Sequence, residues 1–94
     1  MEKQLINLVV DYLSQNGAKK ISVFGSRSKG TETPDSDLDL LVVFSNHPSL
    51  LKLIKIEREL SVKTGLKIDL LTEKAISPFL IDKIKNEAMT IYTA

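Results

Sequence analysis

Apolar positions along this chain of 94 residues follow two spacings, one typical of helices and one of strands. In three segments they recur three and four residues apart, which predicts amphipathic helices with these positions facing inward. The first segment ends at Asn16-Gly17 and the second at Thr64-Gly65, where glycine favours a helix stop, while Ser77-Pro78 suits the cap and first residue of the third. The positions predicted to face inward in the three segments are Leu5, Leu8, Val9, Tyr12 and Leu13; Leu50, Leu53, Ile56 and Leu60; and Leu80, Ile81, Ile84 and Ala88.

Three shorter apolar runs predict strands: about Lys20 to Phe24, a second run through Phe44, and roughly Lys67 to Leu71. Between the first two, the segment Val23 to Val43 predicts a strand, a turn with a short helix, and a strand. The expected fold is α/β (α+β), with helices flanking a small mixed β-sheet in the order α-β-α-β-α-β-α. We expect one domain over residues 1–94.

Two aspartates lie on the second predicted strand. Because side chains alternate along a strand, Asp37 and Asp39 project from one face and Leu38 and Leu40 from the other. Residues spaced by two are about 6.6 Å apart along a strand, close enough for both carboxylates to bind one divalent ion or two neighbouring ions. Oxygen ligands favour Mg²⁺ or Mn²⁺.

A third carboxylate repeats this pattern on the last predicted strand, where Ile68 and Leu70 form an apolar face and Asp69 points the other way. If the two strands are neighbours on one core, Asp69 completes a site of three carboxylates. A solvated strand position is the alternative for Asp69 alone. The pair at Asp37 and Asp39 favours the catalytic and metal-binding interpretation of all three.

Gly25-Ser26 ends the first predicted strand, ten residues before Asp37. Glycine permits a tight turn close to a ligand, and N–H groups at a following helix start would face an anion. The Ser26 hydroxyl, Arg27 and Lys29 would add donors and positive charge for a triphosphate. Alone, Gly-Ser is equally compatible with an ordinary turn. Gly25 and Gly30 have P-loop spacing, but Thr31-Glu32 follows in place of Lys-Ser/Thr, and no dinucleotide-binding glycine motif occurs.

Composition excludes several other functions. The chain has no cysteine, hence no disulfide or thiolate site, and its single histidine, His47, has no second histidine with which to share a metal. Net charge is +1, so we expect no general binding to nucleic acid or membrane. Without an apolar run near 18 residues or a signal sequence, the expected location is the cytoplasm.

The run GSRSKGTETPDSDLDLLV resembles the signature of the polymerase-beta-type nucleotidyltransferase superfamily: Gly-Ser, ten residues, Asp-x-Asp and a later third aspartate. The chain's small size makes it similar to the minimal nucleotidyltransferases (MNT), and ISPFLIDKIKNEAMTIY resembles their last helix. Members often have Ala-Arg where this chain has Ser28-Lys29. Lys29 keeps the charge but not the bidentate geometry of arginine.

The resemblance implies a Mg²⁺- or Mn²⁺-dependent enzyme that transfers AMP from ATP to a hydroxyl. In such an enzyme Asp37 and Asp39 would hold two metal ions, Asp69 would serve the acceptor, and Gly25 and Ser26 would hold the β and γ phosphates. It also implies a partner: minimal nucleotidyltransferases commonly pair with small helical HEPN-domain toxins and act as antitoxins by adenylylating a tyrosine of the toxin. A module that neutralises its partner by docking alone, and a small-molecule nucleotidyltransferase subunit, are the alternatives.

Overall fold

The computed structural model of the chain describes residues 2–25, 37–73 and 76–94. The described elements are α1 (Lys3–Gln15), β1 (Ala18–Phe24), β2 (Leu38–Phe44), α2 (Leu50–Thr64), β3 (Ile68–Leu71), α3 (Pro78–Glu87) and β4 (Met89–Thr93). The helix expected after Gly25 falls outside the described residues. Within the described ranges, no helix is long and apolar enough to cross a membrane.

The four strands form one sheet in the order β3-β2-β1-β4. β1 runs antiparallel to both β2 and β4, and β2 runs parallel to β3, so the sheet is mixed. The expected fold class is confirmed. Two predicted helix signals hold as well: the Ser77 hydroxyl caps α3, and Gly65 ends α2 with a φ of 71°. The structure adds a cap that was not predicted, the Ser49 hydroxyl at the start of α2.

The end of the chain corrects the sequence prediction, which contained no fourth strand. α3 ends at Glu87, Ala88 is already extended, and β4 then pairs with β1. The physical reason is visible in the residues themselves, since Thr90 to Thr93 are all β-branched or aromatic and pack well on a sheet. The helical spacing continues through Ala88 and conceals the change of structure.

The core lies on one face of the sheet, beneath α1 and α2. Its buried residues come from α1, the first three strands and α2: Val9, Leu13, Ala18, Ile21, Val23, Leu38, Leu40, Val42, Phe44, Ile56, Leu60 and Ile68. Two positions predicted to face inward do not. Leu50, in the first turn of α2, is 73% exposed and Leu80 of α3 is 53% exposed, because the sheet covers neither first turn.

Candidate active site

Asp39 and Asp69 are direct neighbours across two strands. They occupy the same position in the parallel ladder between β2 and β3, one step after the pair Leu38 and Ile68. Leu38 and Ile68 are buried in the core, so alternation turns both carboxylates to the opposite face of the sheet. The predicted approach of Asp69 to the acidic strand is therefore present, and it follows from the two apolar faces sharing one core.

The two carboxyls interact strongly. Partial burial raises the pKa of Asp39 to about 6 from a usual 3.8, and a hydrogen bond with Asp69 and the negative charges of Asp69 and Asp37 add to the effect. Each cause disfavours the charged form of Asp39. A bound cation would offset the repulsion and favour the ionised form.

Gly25 gives the Asp39 carboxylate its space. This residue follows β1 directly, has a φ of 77°, and a Cβ placed on it would overlap Asp39 Oδ2. Any other residue would both strain the backbone and push the carboxylate away. The sequence predicted a turn glycine beside phosphates, but the contact with Asp39 depends on the pairing of β1 with β2 and could not be found from spacing alone.

Asp37 immediately precedes β2, and its negative charge contributes to the raised pKa of Asp39. Asp37 Oδ2 lies 3.9 Å from Lys67 Nζ, and both side chains are well exposed, so this ion pair is weak and easily exchanged. Across residues 2–25, 37–73 and 76–94, no group of three or more histidine, cysteine, aspartate or glutamate side chains is arranged to hold a metal ion. The convergence of all three aspartates on metal stays a prediction.

The donor set nevertheless suits a hard divalent ion. Asp39 and Asp69 offer oxygen ligands that repel each other, and Gly25 keeps the space beside Asp39 clear of a side chain. Of the predicted phosphate ligands, Ser26, Arg27 and Lys29 lie outside the described residues, and only Gly25 can be placed.

Sequence analysis did not identify Glu57, which holds the strand that carries Asp69. Glu57 of α2 accepts a hydrogen bond from the backbone N–H of Leu70, with 2.9 Å between Leu70 N and Glu57 Oε2. Leu70 follows Asp69 on β3, an outer strand of the sheet. The bond ties the strand that carries Asp69 to the helix across the core. Glu57 is one of several charged residues along α2, and no local sequence signal distinguishes it from the others.

A second feature missed from sequence is a small cavity on the face of the sheet that carries Asp39. Its volume is about 110 Å³. Its walls come from β1, β2, α3 and β4, which contribute Lys20, Ser22, Leu41, Val43, Lys85, Ala88 and Thr90. Residues more than 60 positions apart line this cavity, so no short sequence motif could predict it.

The chain is similar to known nucleotidyltransferases over most of its length. Residues 6–91 match the family model described as a nucleotidyltransferase domain. A Methanocaldococcus jannaschii protein provisionally named a protein adenylyltransferase is 37% identical over 83 residues, which are 88% of this chain and 89% of that protein. The protein adenylyltransferase MntA of Thermococcus cleftensis is 36% identical over 75 residues, 80% of this chain and 76% of the relative.

Solved structures share the fold. A structure provisionally described as a minimal nucleotidyltransferase has a TM-score of 0.80 and 31% identity, covering 93% of this chain and 89% of the other. A chain from a toxin–antitoxin crystal structure with AMP-PNP has a TM-score of 0.85 at 21% identity, and the match covers 95% of this chain and 73% of the other. A chain from the complex of tri-AMPylated Shewanella oneidensis HEPN toxin with MNT antitoxin has a TM-score of 0.81 at 18% identity, and the match covers 100% of this chain and 74% of the other.

The family model spans nearly all of the chain, and the signature Gly25-Ser26, Asp37, Asp39 and Asp69 falls within the matched residues. The structure joins the last two of these aspartates across parallel strands. The chain therefore belongs to the nucleotidyltransferase domain family, among its minimal members.

Proposed function

We propose that this nucleotidyltransferase transfers AMP from ATP to a hydroxyl of a partner protein and releases pyrophosphate. The observation that carries the proposal is the alignment of Asp39 with Asp69, which places two interacting carboxyls on the open face of the sheet. The names of two relatives as protein adenylyltransferases support the acceptor class.

In this mechanism Asp37 and Asp39 would hold Mg²⁺ or Mn²⁺ on the triphosphate, and Asp69 would serve the metal on the acceptor side. Bound metal would neutralise charge at the α-phosphate and lower the pKa of the acceptor hydroxyl. The acceptor oxygen bonds to the α-phosphorus as the bond to pyrophosphate breaks. Asp69 assists removal of the hydroxyl proton and orients the acceptor. We further propose that Gly25, Ser26, Arg27 and Lys29 hold the β and γ phosphates.

The proposed partner is a small helical HEPN-domain toxin, and the proposed acceptor is one of its tyrosines. Two structural neighbours come from toxin–antitoxin complexes, one with AMP-PNP and one with an AMPylated HEPN toxin. This chain would then act as the antitoxin, in the cytoplasm.

Labelled ATP, Mg²⁺ and a co-expressed HEPN partner test this proposal by intact mass. We expect addition of AMP to the partner by the wild type and none by an Asp37→Asn, Asp39→Asn double variant. Neutralisation of the toxin should be lost with the modification. A double variant that binds and neutralises the toxin as well as the wild type would replace the catalytic account with docking alone.

A further inference from the structure

The cavity of Lys20, Ser22, Leu41, Val43, Lys85, Ala88 and Thr90 shares its face of the sheet with the acidic pair. Leu41 and Val43 follow Asp39 at every second position of β2, so they project to the same side. Ser22 and Lys20 are their register partners on β1. At the strand rise, Leu41 lies about 7 Å from Asp39 and Val43 about 14 Å. The cavity thus leads directly away from the carboxylates.

Its walls combine an apolar floor with hydrogen-bond donors. Leu41 is only 5% exposed and Ser22 only 4%. The Ser22 and Thr90 hydroxyl oxygens are 3.3 Å apart, one donating to the other, which leaves hydroxyl capacity for a ligand. Lys20 and Lys85 add ammonium donors, and no acidic side chain is among the described lining residues.

Lys85 is partly held by another contact. Its Nζ lies 3.2 Å from Glu73 Oε1, and both side chains are substantially exposed. A surface ion pair of this kind contributes little and leaves ammonium protons free to donate. Glu73 does not line the cavity. The contact therefore leaves Lys85, which lines the cavity, available as a donor.

We propose that this cavity binds the nucleoside of the nucleoside triphosphate, with the ribose over Ser22 and Thr90 and the base over Val43 toward Lys20 and Lys85. The inference rests on the proposed function. A nucleoside presents apolar ring faces and hydrogen-bond acceptors at its edges, which match an apolar floor with donor walls. An additional phosphate site would gain nothing from Leu41 and Val43.

The position of the cavity distinguishes nucleotide from acceptor. Asp69, proposed to serve the acceptor, is on β3 at one edge of the sheet, whereas the cavity lies on the other side of Asp39, toward β1 and β4. An acceptor protein approaching over β3 and a nucleoside lying toward β4 would occupy opposite sides of the acidic pair. The acceptor and the nucleoside would then not compete for space, while the attacking oxygen approaches the α-phosphorus opposite the leaving pyrophosphate.

Calorimetry with two probes, Mg-ATP and Mg-tripolyphosphate, tests the proposal at about 0.15 M salt, where long-range charge effects are screened. The variants are Lys20→Met and Thr90→Val, and Lys19→Met is the matched control. Lys19 is the adjacent exposed lysine of β1 and lines a different cavity. Each loss of a hydrogen bond should weaken Mg-ATP binding about two- to tenfold, while Mg-tripolyphosphate binding and the control change less than about twofold.

Ala88→Leu, which would fill the cavity, provides an independent variant and should weaken Mg-ATP selectively as well. Thermal melting of each variant checks that it folds. Equal losses for both probes would make the cavity a phosphate site and overturn the proposal, as would unchanged Mg-ATP affinity in all three variants. If the wild type binds tripolyphosphate but not ATP, the nucleoside site fails alone; if it binds neither, the proposed function fails with it.

Discussion

Asp39→Asn should stabilise the protein in the absence of metal while eliminating transfer. The pKa of Asp39 is raised from 3.8 to about 6, first by partial burial and then by Asp69 and Asp37. A folded-state pKa above the unfolded value means that the folded protein holds this proton more tightly. The associated stability is fully present below about pH 4 and is lost as pH rises through about 6. At neutral pH the folded protein carries the cost of ionising Asp39.

The size of the effect follows from the shift. Two pH units correspond to about 3 kcal/mol as an upper bound, and because Asp39 is only partly buried, solvent screening reduces the expected gain to about 1 kcal/mol. For a domain of this size that is about 4–8 °C in Tm. The asparagine amide can donate to the Asp69 carboxylate, replacing the shared proton without the charge.

Differential scanning calorimetry in chelator at pH 7.5 and pH 4.5 measures the prediction. Asp39→Asn should melt higher than the wild type at pH 7.5, and the difference should shrink at pH 4.5. Asp11→Asn, a change of the same type at an exposed position of α1, is the control and should change little. Added Mg²⁺ should raise the Tm of the wild type more than that of Asp39→Asn. A variant that melts lower than the wild type at pH 7.5 would refute carboxylate repulsion as the cause.

Three further changes test the site. Gly25→Ala should lower the free energy of unfolding by about 1–2 kcal/mol, because alanine is strained in the left-handed backbone conformation, and it should also abolish transfer by displacing Asp39. Gly65→Ala is the control: its φ is 71° and nothing lies within 4 Å of an added Cβ, so it should lower the melting temperature through strain alone and retain activity. Asp69→Asn should abolish transfer, measured by the mass of the partner protein, while most of the ATP affinity, measured by calorimetry, is kept. Unchanged turnover would show that the acceptor-side carboxylate is elsewhere. Glu57→Ala should lower the free energy of unfolding by about 1 kcal/mol in urea titrations, and Glu57→Gln, which keeps an acceptor, should lower it less; equal losses would exclude the bond to Leu70 as the cause.

The acidic pair could be predicted because it depends on local alternation and one shared core. Leu38 and Ile68 fix which face is buried, and the faces of Asp39 and Asp69 follow. Among the described residues, the order of elements was predictable up to α3, because capping and glycine signals mark the helix ends. β4 was missed because the helical spacing of α3 runs on through Ala88, and only pairing with β1 decides that the following residues are extended.

Contacts between residues far apart in the sequence could not be predicted from local patterns. Three such contacts join different parts of the chain: Gly25 with Asp39, Leu70 with Glu57, and Ser22 with Thr90. The exposure of Leu50 has a related origin, since helical spacing identifies a face but not the turn at which the sheet begins to cover it.

The bond between Leu70 and Glu57 has a consequence for association between copies of the chain. β3 is an outer strand, and an outer strand offers backbone donors and acceptors to which a strand of another molecule can add. The Glu57 carboxylate occupies one such donor with 2.9 Å between Leu70 N and Glu57 Oε2, and it places negative charge along the same edge. A foreign strand would have to displace this carboxylate before it could extend the sheet, so the edge beside Asp69 resists strand addition between copies of the chain.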